Sequence, residues 1–398
     1  MSLDIDNIYV DNAATTKVSS EVLDEMLPYF SENFANPSGL YLMSQDSRAA
    51  VEFSREKIAK AINSSNSEII FTSGGTESDN LAFKGLLGSN IVSDQNEIII
   101  STIEHHAIIH PAEQMKELGY SVLYCPIDKK GFVETDSLNK LITKKTKFIS
   151  IMYANNEIGT IQKIKKLVEM TRKKEKEFGT EIIFHTDAVQ AVGKIQIDVK
   201  DLDVDALSIS AHKFNGPKGI GALFLKDNHI INPLIDGGGQ ERQRRSGTEN
   251  VPLIDGFSEA LRLSQLESIS FTKHCRVLRD HIIDNVTSRI PKSHLNGHPT
   301  LRLSNNASFS FELVEGEPIL LGLDLAGISA SSGSACSSVS LEPSHVLTAI
   351  GRTPELARGS LRITLGLDNS QKDIDYFLDT LVNLVSKLRE MPSISVAL

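Results

Sequence analysis

Cysteine is scarce in this chain: three residues, Cys125, Cys275 and Cys336, among 398. An odd number at wide spacing gives neither a disulfide framework nor a CxxC metal site, and suits a reducing compartment. No metal is expected. Long apolar runs are missing as well. Stretches such as Ile98 to Ile100 or Ile319 to Leu321 fall far short of the roughly 20 residues a membrane span needs. The first residues, Met1 to Ala13, carry Asp4, Asp6 and Asp11 and show neither the basic nor the apolar region of an export signal. The expected location is therefore the cytoplasm, away from any membrane. Positive charge is in deficit, with 41 Lys+Arg against 51 Asp+Glu and a net charge of −10. That balance gives no general electrostatic reason to bind nucleic acid directly, although a local basic patch could still serve an anionic ligand. Internal repeats and long low-complexity linkers are also lacking.

What is present is the material of a globular protein: 40% hydrophobic and 23% charged residues, with 26 glycines, enough to bury a sizeable core. The length suits two domains. From about residue 15 to 265, apolar strand-like runs alternate with amphipathic stretches, the pattern of an α/β domain around a mostly parallel sheet. Candidate strands are Ile69 to Thr72, Glu97 to Thr102, Ser121 to Cys125, Phe148 to Met152, Ile182 to Thr186, Ala206 to Ser210 and Gly221 to Leu225. A helix is expected over Glu21 to Phe30, with Val22, Leu23, Met26, Leu27 and Phe30 on one face. After Leu261 longer helical segments and fewer strands suggest a smaller α+β domain, ending in a helix near Lys372 to Arg389 whose apolar stripe runs from Ile374 to Leu388. The expected division is a large domain over 15–262 and a small one built from 1–14 and 263–398, with a cleft between them.

Four features fall just past the ends of expected strands, where open parallel sheets place their ligands. Thr72-Ser-Gly-Gly-Thr-Glu-Ser78 is a glycine-containing turn into a helix, whose N–H groups near Gly75 and Thr76 could hold an anion; a plain capped turn is the simpler alternative. Asp187, ending an apolar strand with Gln190 three residues on, could keep a cationic heteroaromatic nitrogen protonated, or merely cap. Ser210-Ala-His-Lys213 places a lysine beside Ser210 and His212, where neighbours and desolvation can lower its pKa and let it form an imine. A lone lysine is otherwise a solvated surface charge. His105, in Glu104-His-His106, could stack on a ring or carry protons near neutral pH, though a loop histidine is often structural. Among the cysteines, Cys125 sits with Val122, Leu123 and Tyr124 and reads as an inert packed thiol. Cys336 lies in a Ser/Gly/Ala stretch that cannot form a core, the exposure a reactive thiol needs.

Taken together with Asp11-Asn-Ala-Ala-Thr-Thr16, Asn36-Pro-Ser38, Asn155-Asn-Glu-Ile-Gly159, His185 to Gln190, Gly216-Pro-Lys-Gly219, Gly237 to Glu241, Arg245-Ser-Gly-Thr248, Ser331 to Ser338 and Ser360-Leu-Arg362, these motifs resemble, in order from about residue 9 to 366, the cysteine desulfurases of the IscS/NifS type. The resemblance implies a fold-type I transferase of the class V aminotransferase family, with pyridoxal 5′-phosphate (PLP) as cofactor. It implies that Lys213 forms the Schiff base, Asp187 pairs with the pyridinium nitrogen, His105 stacks on the ring, and Gln190 and Asn156 approach the phenolic oxygen. Thr76, in the turn with Gly75, would hold the phosphate with Ser210 and His212, joined by Thr248 from the other subunit of a homodimer. Asn36 and Arg362 would hold the carboxylate of L-cysteine, where a guanidinium gives a bidentate grip. Lys213 would move the Cα proton and His105 the thiol proton. Cys336 would take the sulfur as a persulfide, leaving L-alanine.

The stretch from Ser331 to His345 resembles the long-loop members of the family, so delivery of sulfur to an acceptor protein, an iron–sulfur scaffold or a tRNA-thiolation enzyme, is implied. Two departures stand out. Gly39-Leu-Tyr-Leu-Met-Ser44 replaces the usual His and Gly, and the tail ends at Leu398 without a long extension, which makes a NifS-like or specialised partner as reasonable as a general one. Rival readings are another class V reaction, such as selenocysteine lysis or transamination, and a catalytically dead partner-binding scaffold. Cys336 separates the first, and visible absorbance with PLP the second.

Overall fold

The computed structural model describes residues 7–88, 94–333 and 342–391. Among them the strands are β1 (Ile8–Tyr9), β2 (Ile69–Thr72), β3 (Glu97–Ser101), β4 (Ser121–Cys125), β5 (Thr146–Ser150), β6 (Ile183–Asp187), β7 (Ala206–Ser210), β8 (Gly221–Leu225), β9 (Ser293–Leu295), β10 (Asn306–Phe311), β11 (Ile328–Ser329) and β12 (Ser360–Thr364). Seven form one sheet in the order β2-β8-β7-β6-β5-β3-β4. Only β8 runs against its neighbours, β2 and β7; the other pairings are parallel. Strands β2, β7 and β8 are buried along their whole length, which is why they read as short unbroken runs: helices cover both faces of a parallel sheet.

The expected strands at β2, β4, β7 and β8 have the observed bounds. Strand β5 lies two residues earlier than expected, because the Met152 N–H turns away to the Glu104 carboxyl at 2.9 Å. The helix expected over Glu21 to Phe30 is two pieces, Ser20–Met26 and Pro28–Ser31; Pro28 has no N–H to continue the ladder. Its apolar face is split as well. Val22 and Met26 are buried, but Leu23, Leu27 and Phe30 are 47%, 52% and 59% exposed.

A second core gathers Val10, Cys275 and the antiparallel sheet β12-β10-β9 under the helix Gln371–Glu390. Ile374, Phe377, Leu378, Leu381 and Val385 of that helix are buried, as its spacing predicts, and Ser370 with Asp373 closes its start as a capping box. The N-terminal segment links the two sheets. The Asn12 N–H bonds Thr364 O at 3.1 Å in the small sheet, and the Thr16 N–H bonds His212 O at 2.9 Å at the end of β7. Residues 11–16 therefore lie as a strap across the ends of the central strands.

Candidate active site

Strand β6 ends in Asp187, 5% exposed, whose Oδ1 accepts the Val189 N–H at 2.8 Å. Burial raises its pKa, against the pull of that N–H and of the Lys213 charge. Beneath it, His185 is clasped between Ser150 Oγ at 2.9 Å and Ser208 Oγ at 3.0 Å and pushed down to about 3 by burial, so it is neutral. Asp79 Oδ1 lies 3.7 Å from His185 Nε2. Burial and the Asp187 charge hold Asp79 well above the usual carboxylate range. Two carboxyls in one dry pocket cannot both ionise, and Asp187, backed by Lys213, is the one that keeps its charge.

From β7 the chain passes Ser210 into a tight turn, Ala211–Lys213, closed by the Phe214 and Gly216 N–H groups on Ala211 O. Lys213 Nζ donates to Ala13 O at 2.7 Å and Ala14 O at 2.8 Å, and Gln190 Nε2 donates to the same Ala13 O at 3.0 Å. His212 Nδ1 meets Thr15 Oγ1 at 3.1 Å, leaving Nε2 for an anion; burial and Lys213 push this ring down to about 4. Across the strand ends, Gly74 adopts a φ of 151° and Gly75 opens the helix Gly75–Asn80. A Cβ on Gly75 would come within 2.7 Å of Val189 Cγ2, so only glycine lets Thr76 approach the β6 and β7 ends this closely.

His105 caps the helix His106–Glu117 through Nδ1, which accepts the Ala107 N–H at 3.1 Å. Burial first, then the Lys213 charge, brings it down to about 4. At neutral pH it is an uncharged ring whose Nδ1 is the accepting nitrogen, so that Nε2 carries the proton. Its neighbour Glu104 is wholly buried and pushed up to about 8 by burial. A cavity of about 880 Å³ opens between the two sheets, lined by Thr76, His105, Asn156, Glu157, His345 and Arg362 among others. Asn155 is consumed by the fold, its amide bonded to Ile103 O, Glu157 N and Ile158 N, which leaves Asn156 at the cavity.

Arg362, on β12, is 3% exposed; Nη2 pairs with Asp11 Oδ1 at 2.7 Å, Nη1 donates to Asn156 O at 3.3 Å, and Nε has no partner. Two residues singled out in the sequence lie elsewhere. Asn36 is exposed and its Oδ1 accepts the Ser38 N–H in an Asx turn, and Thr248 is exposed on the loop before the helix Val251–Leu266. Neither lines the cavity; of the residues singled out, Thr76, His105, Asn156 and Arg362 do, while Lys213 lines a smaller cavity with Asn12, Thr16 and Lys194. Cys336 lies outside the described residues. Cys125 and Cys275 are buried, both pushed up to about 12 by burial, and inert as expected of Cys125. Asp11, Asp79, Glu104 and Glu157 carry roles the sequence alone did not assign. Glu104 and Glu157 stand next to His105 and Asn156, Asp79 directly follows the 72–78 turn and Asp11 opens the 11–16 motif; their contacts in the folded chain distinguish them.

Residues 8–377 match the family profile of the class V aminotransferases. A cysteine desulfurase IscS of Methanosarcina thermophila is 50% identical over 384 residues, covering 96% of this chain and 93% of that protein. One of Dictyoglomus turgidum is 50% identical over 382 residues, covering 96% and 95%. A solved structure described as a NifS-like protein superposes with a TM-score of 0.89 at 36% identity, covering 96% of this chain and all of its own. Among the described residues no helix is long and apolar enough to cross a membrane. With its sheet order, its strand-end lysine and carboxylate and this near-complete match in hand, the chain belongs to the class V aminotransferase family, among the PLP-dependent cysteine desulfurases of the IscS type.

Proposed function

We propose that Lys213 carries PLP in this chain and that L-cysteine plus the Cys336 thiol become L-alanine plus a Cys336 persulfide, which an acceptor protein then relieves of its sulfur. The observation that supports this most is the meeting of Lys213 and Gln190 on one carbonyl, Ala13 O, beside the buried Asp187. The donor set fits the cofactor. An amine, a buried carboxylate, a neutral imidazole and the Thr76, Ser210 and His212 groups match its aldehyde, ring nitrogen, ring face and phosphate in turn, and the Gly75 approach is one a Cβ would block.

When bound, the cofactor supplies an electron sink at the substrate Cα. Asp187 holds the proton on its ring nitrogen, an opposite charge in a dry site being the arrangement that favours the cationic form. Lys213 Nζ, once free, is the base for the Cα proton. Neutral His105 is the carrier of the substrate thiol proton. Arg362 offers its unpartnered Nε to the substrate carboxylate, and Asn36, exposed in its own chain, would join it from a second subunit. The exposed Leu23, Leu27 and Phe30, together with exposed Thr248, support a homodimer. The acceptor would be an iron–sulfur scaffold or a tRNA-thiolation enzyme, with the reaction in the cytoplasm and without direct contact to nucleic acid.

Borohydride reduction of the PLP-loaded protein followed by peptide mass analysis should place the label on Lys213. A Lys213→Ala variant should retain no covalent label, and incubation with L-cysteine should add one sulfur to the wild-type Cys336 peptide. Label on another lysine, such as Lys194, would overturn the assignment.

A further inference from the structure

The motif Asn155-Asn-Glu-Ile-Gly159 contributes Asn156 to the cavity, but its Glu157 has no part in the chemistry above. This carboxyl is 6% exposed. Its Oε2 accepts the Ser344 hydroxyl at 2.5 Å. The same Ser344 Oγ caps the helix His345–Ala349 by accepting the Leu347 N–H at 3.2 Å, so the hydroxyl is fixed from both sides. On the other flank the chain at Gly333 runs against the carboxyl: a Cβ there would be 2.9 Å from Oε2. The Gly333 N–H in turn donates to Ser360 Oγ at 3.2 Å, at the start of β12.

Glu157 thus touches the last described residue before 334–341 and is bonded to a residue three beyond it. It is also tied to Arg362. The charge of Arg362 acts on the Glu157 carboxyl, Arg362 Nη1 holds the adjacent Asn156 carbonyl, and the backbones of Ser331 and Arg362 exchange hydrogen bonds at 2.7 and 3.4 Å. A buried carboxyl is costly unless it is hydrogen-bonded or paired. Here three segments meet around it: the flank that ends at Gly333, the flank at Ser344, and β12 through Ser360 and Arg362.

We propose that Glu157 is a positioning residue, a single side chain that sets both flanks of the Cys336 stretch in register with the substrate-holding Arg362. The inference rests on the assignment of those two residues made above. It concerns placement alone, since Glu157 itself gives up or takes no atom.

The test uses the PLP-loaded, full-length protein with Glu157→Gln, Glu157→Ala, Ser344→Ala and the Glu157→Ala/Ser344→Ala pair. A misplacement of about 1 Å can cost on the order of 100-fold in rate, so kcat for sulfur transfer to Cys336 should fall at least about 10-fold in Glu157→Ala. The substrate-induced absorbance change should saturate at nearly the wild-type L-cysteine concentration. Glu157→Gln, which keeps an acceptor for Ser344, should recover most of the loss. The double variant should lose less than the two single losses combined, because the Glu157–Ser344 bond is counted in both.

A second readout needs no cofactor: iodoacetamide should alkylate Cys336 several-fold faster in PLP-free Glu157→Ala than in PLP-free wild type. Additive losses in the double variant, or unchanged alkylation and kcat in Glu157→Ala, would overturn the proposal. A Cys336→Ser control separates the two levels. If it still turns over L-cysteine, the role given to Cys336 fails; if it is dead while Glu157→Ala behaves as wild type, only the positioning role fails.

Discussion

Glu104 is fully buried, and its Oε2 has no hydrogen-bond partner while Oε1 accepts from Ser101 and the Met152 N–H. Burial lifts its pKa from 4.5 to about 8. Between those values the folded chain holds a proton that the unfolded chain has released, so stability falls as pH rises through that window. Glu104→Gln keeps the shape and the acceptor but cannot ionise. In PLP-free protein its stability relative to wild type should be independent of pH below about 4.5, climb by a few kcal/mol in total up to pH 8, and level off above, each pKa unit being worth about 1.4 kcal/mol. Urea titrations at pH 5, 7 and 9 measure this directly. A constant difference across the three would show that the carboxyl is ionised in the folded state throughout.

At the scale of elements, the helix Gly75–Asn80 depends on one contact distance. Gly75→Ala would set a methyl 2.7 Å from Val189 Cγ2, closer than packed carbon atoms allow, and must lift Thr76 off the ends of β6 and β7. PLP retention after dialysis should fall by about 10-fold or more, the equivalent of roughly 1.4 kcal/mol, and Val189→Ala in the same chain should restore much of it. A Gly75→Ala protein that keeps its cofactor as well as wild type would mean the contact is relieved elsewhere. The glycine pair was visible in the sequence as a turn signal, and so were the strand runs around it, because fully buried strands are continuous apolar stretches. The break at Pro28 is legible too, although the apolar stripe runs on through it. Neither the pairing of Asp11 with Arg362, 351 residues apart, nor the convergence on Glu157 leaves a local pattern. Polar contacts at that separation are set by how two sheets dock, and periodicity reports only which face is apolar. The same limit explains why His105 and Lys213 could be singled out but not shown to meet, and why Asn36, attractive in its motif, is found on the surface.

For the whole molecule, the exposed side of the split N-terminal helix is an apolar surface that a single chain leaves uncovered. Leu23, Leu27 and Phe30, with Phe34 at 66% exposure close behind, make an apolar surface that a second copy would cover. Leu27→Glu with Phe30→Glu should convert a dimer into a folded monomer, seen as a halved mass by light scattering with an unchanged far-ultraviolet spectrum. The placement of Thr248 can be tested in the same assembly. If this exposed residue serves the neighbouring site, Lys213→Ala and Thr248→Ala subunits should complement each other. In the mixed dimer, the Thr248→Ala subunit keeps its own Lys213 and receives Thr248 from its companion, so one site is whole. Were Thr248 to serve its own chain, neither site would be. Refolding the two variants together should therefore restore PLP retention to one tightly held cofactor per mixed dimer, where each variant alone loses it. No recovery in mixtures shown by mass to contain mixed dimers would confine Thr248 to its own chain and leave the shared site without support.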